Sequence, residues 1–494
     1  MPRRTICLLL IFMVAFTLSS FAQFSLVQIS VDKLTNSDSD HKTEVEPDTF
    51  AWGSTFVSAY HVARRPGSIG WGSAAIGFTT SSDGGKSGTY GYLPDLTVNY
   101  KGGPYYGAAD PSVAYDAKHG VWLISSLALI NPIGDVVVSR SRDGIHWSKP
   151  VPVDLTHNDD KNWTVCDNTP TSPYYGNCYT EWDYATSTGD IAMSTSTDGG
   201  ATWGPAKLTA DRAGGLGGQP LVQPNGTVVV PFSFSYAAIG AFTSTNGGAS
   251  WSASTVVAEV DDHSEGGGLR SLPLPSAEID GAGKVFVVWH DCRFRTNCAE
   301  NDIVMSTSTD GKTWTSPARI PIDPTNSTVD HFIPGIGVNS ATSGKTAQMT
   351  IVYYYYPVSN CNASTCQLDV GFTTSADGGN TWTSGVQLAG PMNLSWLPVS
   401  DLGPMVADYI SVSYTGGNPF GVFAAAKAPK GSVLNEAMYT TRQPLLAAEN
   451  APRFSSEGEL PVPGAKSDHP LRACYDDECR FPTPEAKLPQ FDHQ

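Results

Sequence analysis

Short stretches in which apolar and polar residues alternate, rich in β-branched and aromatic side chains, recur along the chain in sets of four. DPSVAYD, VWLISSLAL, DVVVSRS and WSKPVPV form one set, and NWTVCD, CYTEWDY, DIAMSTS and WGPAKL the next. QPLVQP, TVVVPFSFS, IGAFTST and WSASTVV follow, then LPLPSAEID, KVFVVWHD, DIVMSTS and WTSPARI, then FIPGIGVN, QMTIVYYYY, LDVGFTTS and WTSGVQL. After Gln387 come DYISVSY, FGVFAAAK and NEAMYTT, three strands without a fourth. FSLVQISVD, residues 24 to 32, belongs to no set and can supply the missing outer strand.

Six third strands run into a Ser/Thr-rich turn, usually closed by an aromatic residue: SSDGGKSGTY, SRDGIHW, STDGGATW, STNGGASW, STDGKTW and SADGGNTW. The turn residues are Asp83, Asp143, Asp198, Asn246, Asp310 and Asp377, at intervals of 60, 55, 48, 64 and 67. That spacing is one four-stranded blade with long loops. The carboxylate of such a turn accepts from its own backbone while Gly takes a positive φ, so its role is structural. In this respect residues 24 to 441 resemble the sialidase-like, BNR-repeat β-propellers, whose hallmark is the Asp-box. The resemblance implies an all-β propeller of four-stranded blades, seven by this count, closed by the N-terminal strand; if the last unit is an accessory sheet, the count is six.

Before the repeats, MPRRTICLLLIFMVAFTLSSFAQ has two arginines, an apolar run and small residues, the pattern of a cleaved signal peptide over residues 1–22. The predicted location is secreted or periplasmic, with no later stretch long enough to span a membrane. The propeller domain is assigned to residues 23–441. Residues 442–494, with eight prolines, read as an irregular tail that is loosely packed, covers the domain's side or tethers it. The net charge is −17, and −19 without the leader, which disfavours nucleic acid and anionic membranes as partners. A carbohydrate, anionic in character, is the expected partner, with no cofactor and a monomeric chain.

One of the nine cysteines, Cys7, lies in the leader; the rest fall in close pairs, Cys166 with Cys178, Cys292 with Cys298, Cys361 with Cys366, and Cys474 with Cys479. In an exported chain these read as disulfides between neighbours, and zinc spacing is missing, so no metal is expected. Five Asn-x-Ser/Thr triplets, including one at Asn162, matter only in a eukaryotic secretory route.

Propeller connectivity places the six turns and the links between first and second strands on one face. The links between blades and between second and third strands lie on the other, which carries the candidate chemistry. The loops closed by Cys292 and Cys298 and by Cys361 and Cys366 fall there, either steadying Arg293 and Arg295 or simply bracing long turns. The resemblance to sialidases implies an exo-glycosidase with arginines on a substrate carboxylate, a Tyr nucleophile paired with Glu, and an Asp acid. Tyr409, Asp408, Glu46, Asp160, His331 and Glu265 are the catalytic candidates, and Glu278 is a further partner for the tyrosine. Arg270, Arg293, Arg212, His290, Asp291 and Lys161 are the substrate-binding candidates. The only Arg-Ile-Pro, at Arg319, lies in an outer strand, where a substrate arginine is not expected. A uronate lyase using His263 or His331 with Tyr409, and a non-catalytic glycan- or protein-binding propeller, are the competing classes. Each histidine, and the Asp160-Lys161 pair, also fits a purely structural role, as a loop hydrogen bond or an ion pair.

Overall fold

The computed structural model describes residues 24–66, 72–130, 134–185, 189–234, 236–448 and 450–463. The expected signal peptide, with Cys7, and most of the tail lie outside these residues. The described chain is all-β, with antiparallel strands and only four short 3-10 turns among them. No helix among the described residues is long and apolar enough to cross a membrane.

Four sheets contain four strands each and one contains eleven. The large sheet consists of successive meanders, joined where Ser73 pairs Ala108 and through the long strand Val151–Cys166, whose two halves pair with different neighbours. The strand sets read from the sequence correspond to these meanders. Leu26–Gln28 pairs antiparallel with Glu436–Thr441, so the N-terminal segment is the outer strand of the last sheet, as the sequence implies. Ser30 Oγ adds a bond from Met438 N at 2.9 Å.

The six turns share one hydrogen-bond pattern. At Asp198, Oδ1 accepts from Ala201 N and Thr202 N at 3.0 and 2.9 Å, and Ser196 Oγ accepts from Gly200 N at 2.9 Å. Gly199 and Gly200 sit at φ of 70° and 72°, a region glycine enters without a Cβ penalty. The aromatic residue that follows plugs the sheet edge: Trp382 is buried and donates Nε1–H to Gly379 O at 3.1 Å.

The apolar core lies between neighbouring sheets. Phe286, Val288 and Ile303 of one sheet, for instance, bury against Ile336, Met349 and Ile351 of the next. The first strands of successive meanders are tied side by side by side-chain-to-backbone bonds. Asp48 Oδ2 accepts from Val113 N (2.7 Å), Ser112 Oγ from Thr164 N (3.1 Å), and Gln219 Oε1 from Ala277 N (2.9 Å). Ser276 Oγ accepts from Ile336 N (3.2 Å), and Ser411 Oγ, from the last sheet, accepts from Thr49 N in the first (3.2 Å). Between Asp330–Val338 and Ser411–Thr415 the backbones approach so closely that a Cβ on Gly335 would overlap Ile410 O. Gly335→Ala is therefore expected to lower folding stability by about 1–3 kcal/mol, seen as an earlier denaturant midpoint with unchanged slope; an unchanged midpoint would refute that contact.

Three disulfides are present among the described residues, Cys166–Cys178, Cys292–Cys298 and Cys361–Cys366. The fourth expected bridge, between Cys474 and Cys479, is not among them: Cys474 and Cys479 both lie outside the described residues. The tail's described part is mostly exposed and touches the domain. Arg453–Phe454 pairs with Trp382–Thr383, and Val462 N donates to Arg293 O at 2.7 Å.

Candidate functional site

A recurring backbone irregularity builds the site. Where first strands begin, the register slips, between Ala109 and Ser112, opposite Glu181 and Asp183, and between Phe332 and Gly335. At these slips, and just before Asp48–Trp52, a non-glycine residue adopts positive φ: Glu46 (55°), Asp110 (44°), Lys161 (43°) and Ile333 (47°). Such conformations cost on the order of 1–3 kcal/mol each, and bulges of this kind re-aim a side chain. Here they bring Glu46, Asp110 and Lys161 together.

Lys161 is the hub. Its Nζ stands 2.7 Å from Asp408 Oδ2, 3.0 Å from Asp110 Oδ1 and 3.6 Å from Glu46 Oε1, with all four residues buried. Arg270 grips the same Asp408 in a fork, Nε to Oδ1 at 2.7 Å and Nη2 to Oδ2 at 2.5 Å. Glu46 Oε2 is 2.9 Å from His61 Nε2, which also faces the Asp110 N–H at 2.9 Å. The Tyr409 ring packs edge-on against Trp163 at 5.1 Å, with the Lys161 ammonium 5.2 Å from its centroid. The Tyr409 hydroxyl, buried, has no hydrogen-bond partner among the described residues. A pocket lined by Asp110, Lys161, Asn162, Trp163, Gln219 and Tyr409 opens beside it.

The electrostatics divide the carboxyls in two. Burial raises all of them, but Arg270 and Lys161 hold Asp408 below its usual range, and Lys161 and His61 hold Glu46 well below. Asp110 is pushed up by burial and by the Glu46 charge, and Asp160 to about 6 by burial and by Asp110. Two carboxylates thus stay ionised while two neighbours hold protons more readily, the division that acid–base chemistry uses. Burial, then Asp110 and Glu46, raise the Tyr409 phenol well above its usual value. Against burial, Asp110, Asp408 and Glu46 keep Lys161 charged.

Of the sequence candidates, Glu46, Asp160, Lys161, Arg270, Asp408 and Tyr409 therefore form one cluster. The others lie elsewhere. Arg212 is a surface residue, its side chain 69% exposed, with Nε bonded to Asp190 Oδ2 at 3.1 Å. Arg293 forks onto Asp291 (2.8 and 2.6 Å) at the rim, and Trp289 Nε1 donates to the same carboxylate at 3.1 Å. Among the described residues Arg270, Arg293 and Arg212 each bind a different carboxylate, Asp408, Asp291 and Asp190. His331 is buried beside the Tyr353 ring (5.3 Å) in a network where Arg295 and Arg319 neutralise Asp302 and Asp323; burial lowers its pKa, and it does not meet Tyr409. Glu265 takes a bond from Asn301 Nδ2 at 3.1 Å, with His290 Nε2 at 3.9 Å, and burial and Asp330 raise its pKa well above normal. Glu278 is pushed up to about 8, chiefly by burial.

Among the described residues two groups have the spacing to hold a metal, Glu46–His61–Asp110 and Asp302–Asp323–His331. In each, protein cations already stand against the carboxylates: Lys161 in the first, Arg295 and Arg319 in the second.

The sequence reading missed His61 and Arg64. Both sit within the strand Thr55–Arg64, in a run that reads as core. The Arg64 guanidinium is buried, makes no side-chain hydrogen bond among the described residues, and has its pKa lowered by burial and by Arg270. The first-strand starts carry a signal that does not extend to these two residues: Pro follows Glu46, Asp110, Gln219, Leu274 and Ile333 alike, and is missing after Lys161.

No family model matches the sequence, and no curated protein does. Among solved structures, the chain is similar to a protein of unknown function from Dyadobacter fermentans (15% identity, 72% of this chain and 98% of that one, TM-score 0.44). It is also similar to the NanB sialidase of Streptococcus pneumoniae (14%, 84% and 70%, 0.43) and to an ulvan lyase of polysaccharide lyase family 25 (10%, 81% and 94%, 0.46).

Proposed function

We propose that the chain is an exported, monomeric propeller of seven four-stranded blades that hydrolyses a glycan bearing an anionic group at the Lys161 cluster. The blade count is supported by the bonds that tie successive first strands and return from Ser411 to Thr49. The observation that carries the enzymatic reading is the unpartnered Tyr409 hydroxyl, buried among carboxyls of opposite protonation habit.

In this mechanism the phenol oxygen attacks the anomeric carbon and its proton passes to Asp110, whose raised pKa matches a phenol better than that of Glu46, and Asp110 returns it to the phenolate when water later releases the sugar. Asp160 donates a proton to the departing oxygen as the glycosidic bond breaks, then takes one from the water that releases the sugar from Tyr409. Glu46, Asp408 and Lys161 supply a fixed field around the developing positive charge. Arg64 and the outer edge of Arg270 hold the anionic group. Because Asp160 must start protonated, kcat/KM is expected to fall as pH rises through about 6, and Asp160→Asn to lower the activity strongly and leave what remains without that limb. A flat profile from pH 5 to 8 counts against Asp160 as the acid.

The decisive experiment incubates the mature protein with a panel including sialosides and uronic-acid polysaccharides. A released sugar acid supports hydrolysis; an unsaturated, ultraviolet-absorbing uronate makes it a lyase. Glycan binding without product makes it a recognition propeller. One observation favours this last alternative: the Lys161 charge is already matched by protein carboxylates.

A further inference from the structure

Arg270 is only half engaged. Nε and Nη2 hold Asp408, whereas Nη1 donates to no atom among the described residues, and the nearest carboxylate to it is Asp401, with Oδ1 3.7 Å away. That distance is beyond a hydrogen bond.

Asp401 sits at the tip of a small hairpin, Val399–Ser400 against Gly403–Pro404, in the connection that leads to the last sheet. The hairpin backbone is fixed. Arg270 N donates to Pro404 O at 2.8 Å, Ser400 Oγ donates to Gly403 O at 2.9 Å, and Gly403 lies so near the next loop that a Cβ there would collide with Gly268 O. Gly403 also has φ of 116°, so glycine is required twice over. What is left loose is the Asp401 side chain, 48% exposed beside an Arg270 side chain 15% exposed.

We propose that Asp401 is a displaceable counter-ion: without ligand it neutralises the outer edge of Arg270, and it yields that edge to the carboxylate or sulfate of an entering sugar. The inference rests on reading this cluster as an anionic-glycan site. Two features make displacement feasible. An exposed pair at this separation is weak and screened by salt, whereas an anion lodged against Nη1 gains direct N–H donors in a more enclosed place. The other carboxylate on Arg270, Asp408, is buried and doubly bonded, so it stays. Asp401 thereby sets a threshold: an anionic group must outcompete it, and a neutral sugar gains nothing by moving it.

The test is calorimetric titration of glucuronate, with glucose as the neutral control, into the full-length mature protein and Asp401→Asn. Glucuronate is expected to bind the variant about three- to fivefold tighter at low salt, the gap closing as salt rises, with no change for glucose. Equal or weaker glucuronate binding by the variant overturns the proposal, and so does failure of glucuronate to bind either form. Hydrolysis is scored separately: tighter glucuronate binding with no glycan cleaved sustains the role of Asp401 and removes the hydrolase.

Discussion

Tyr409→Phe is expected to lower glycan turnover by about 10³-fold or more while leaving the protein as stable as before. The two effects separate because the hydroxyl has no hydrogen-bond partner to lose. Removing a buried, unsatisfied hydroxyl forfeits no interaction, and the ring contacts with Trp163 and Lys161 remain. Substrate affinity is expected to change little, since anion binding is assigned to Arg64 and Arg270. Steady-state kinetics on the glycan found by the panel, beside a denaturant melt, checks both halves. A Phe variant turning over at the wild-type rate rules out the phenol as nucleophile.

Replacing Lys161 with Met is expected to cost roughly 3–5 kcal/mol of folding stability at neutral pH, the toll of leaving buried charges without their partner. Asp408, Asp110 and Glu46 would then face one another with Arg270, Arg64 and His61 nearby and no ammonium between them. The pH dependence should change as well. In the native protein Glu46 and Asp408 have depressed pKa values, so their contribution is present above the unfolded carboxylate range and lost as pH falls through their folded values. Without the ammonium, carboxyls in the cluster take up protons on folding, and their contribution is lost as pH rises instead. Denaturant midpoints for both proteins at pH 5 and pH 8 should therefore differ more at pH 8. Equal midpoints at both values would mean that Lys161 is dispensable to the fold.

The strand sets, their turns and the closing role of residues 24 to 32 were legible in the sequence because each rests on local chemistry. An Asp-Gly turn such as the one at Asp198 satisfies its own backbone and needs no distant residue. The site was legible only as a face. Tyr409, Asp408, Glu46, Asp160, Lys161 and Arg270 were identifiable as polar residues near first-strand starts, but so were Arg212 and Glu265, and Arg293 on a link between second and third strands of the same face, all of which lie apart. Position along a repeat gives depth in the fold, whereas convergence depends on which bulge turns a side chain inward, and the proline that follows Glu46, Asp110 and Ile333 is missing after Lys161. His61 and Arg64 escaped for the opposite reason: they occupy strand positions whose neighbours are all buried, so pattern alone counts them as packing.

The pairing of Leu26–Gln28 with Glu436–Thr441 also sets an order of events during synthesis. Ser30 and Met438 are 408 positions apart, so at the usual pace of a ribosome the first strand waits roughly 20–80 s for its neighbour to exist. Throughout that interval Leu26–Gln28 has no sheet neighbour and is open to pairing with a second chain. A short peptide spanning residues 24 to 32, supplied in excess during refolding, would compete for the edge of Glu436–Thr441 and act as an assembly poison aimed at a step the finished protein no longer exposes.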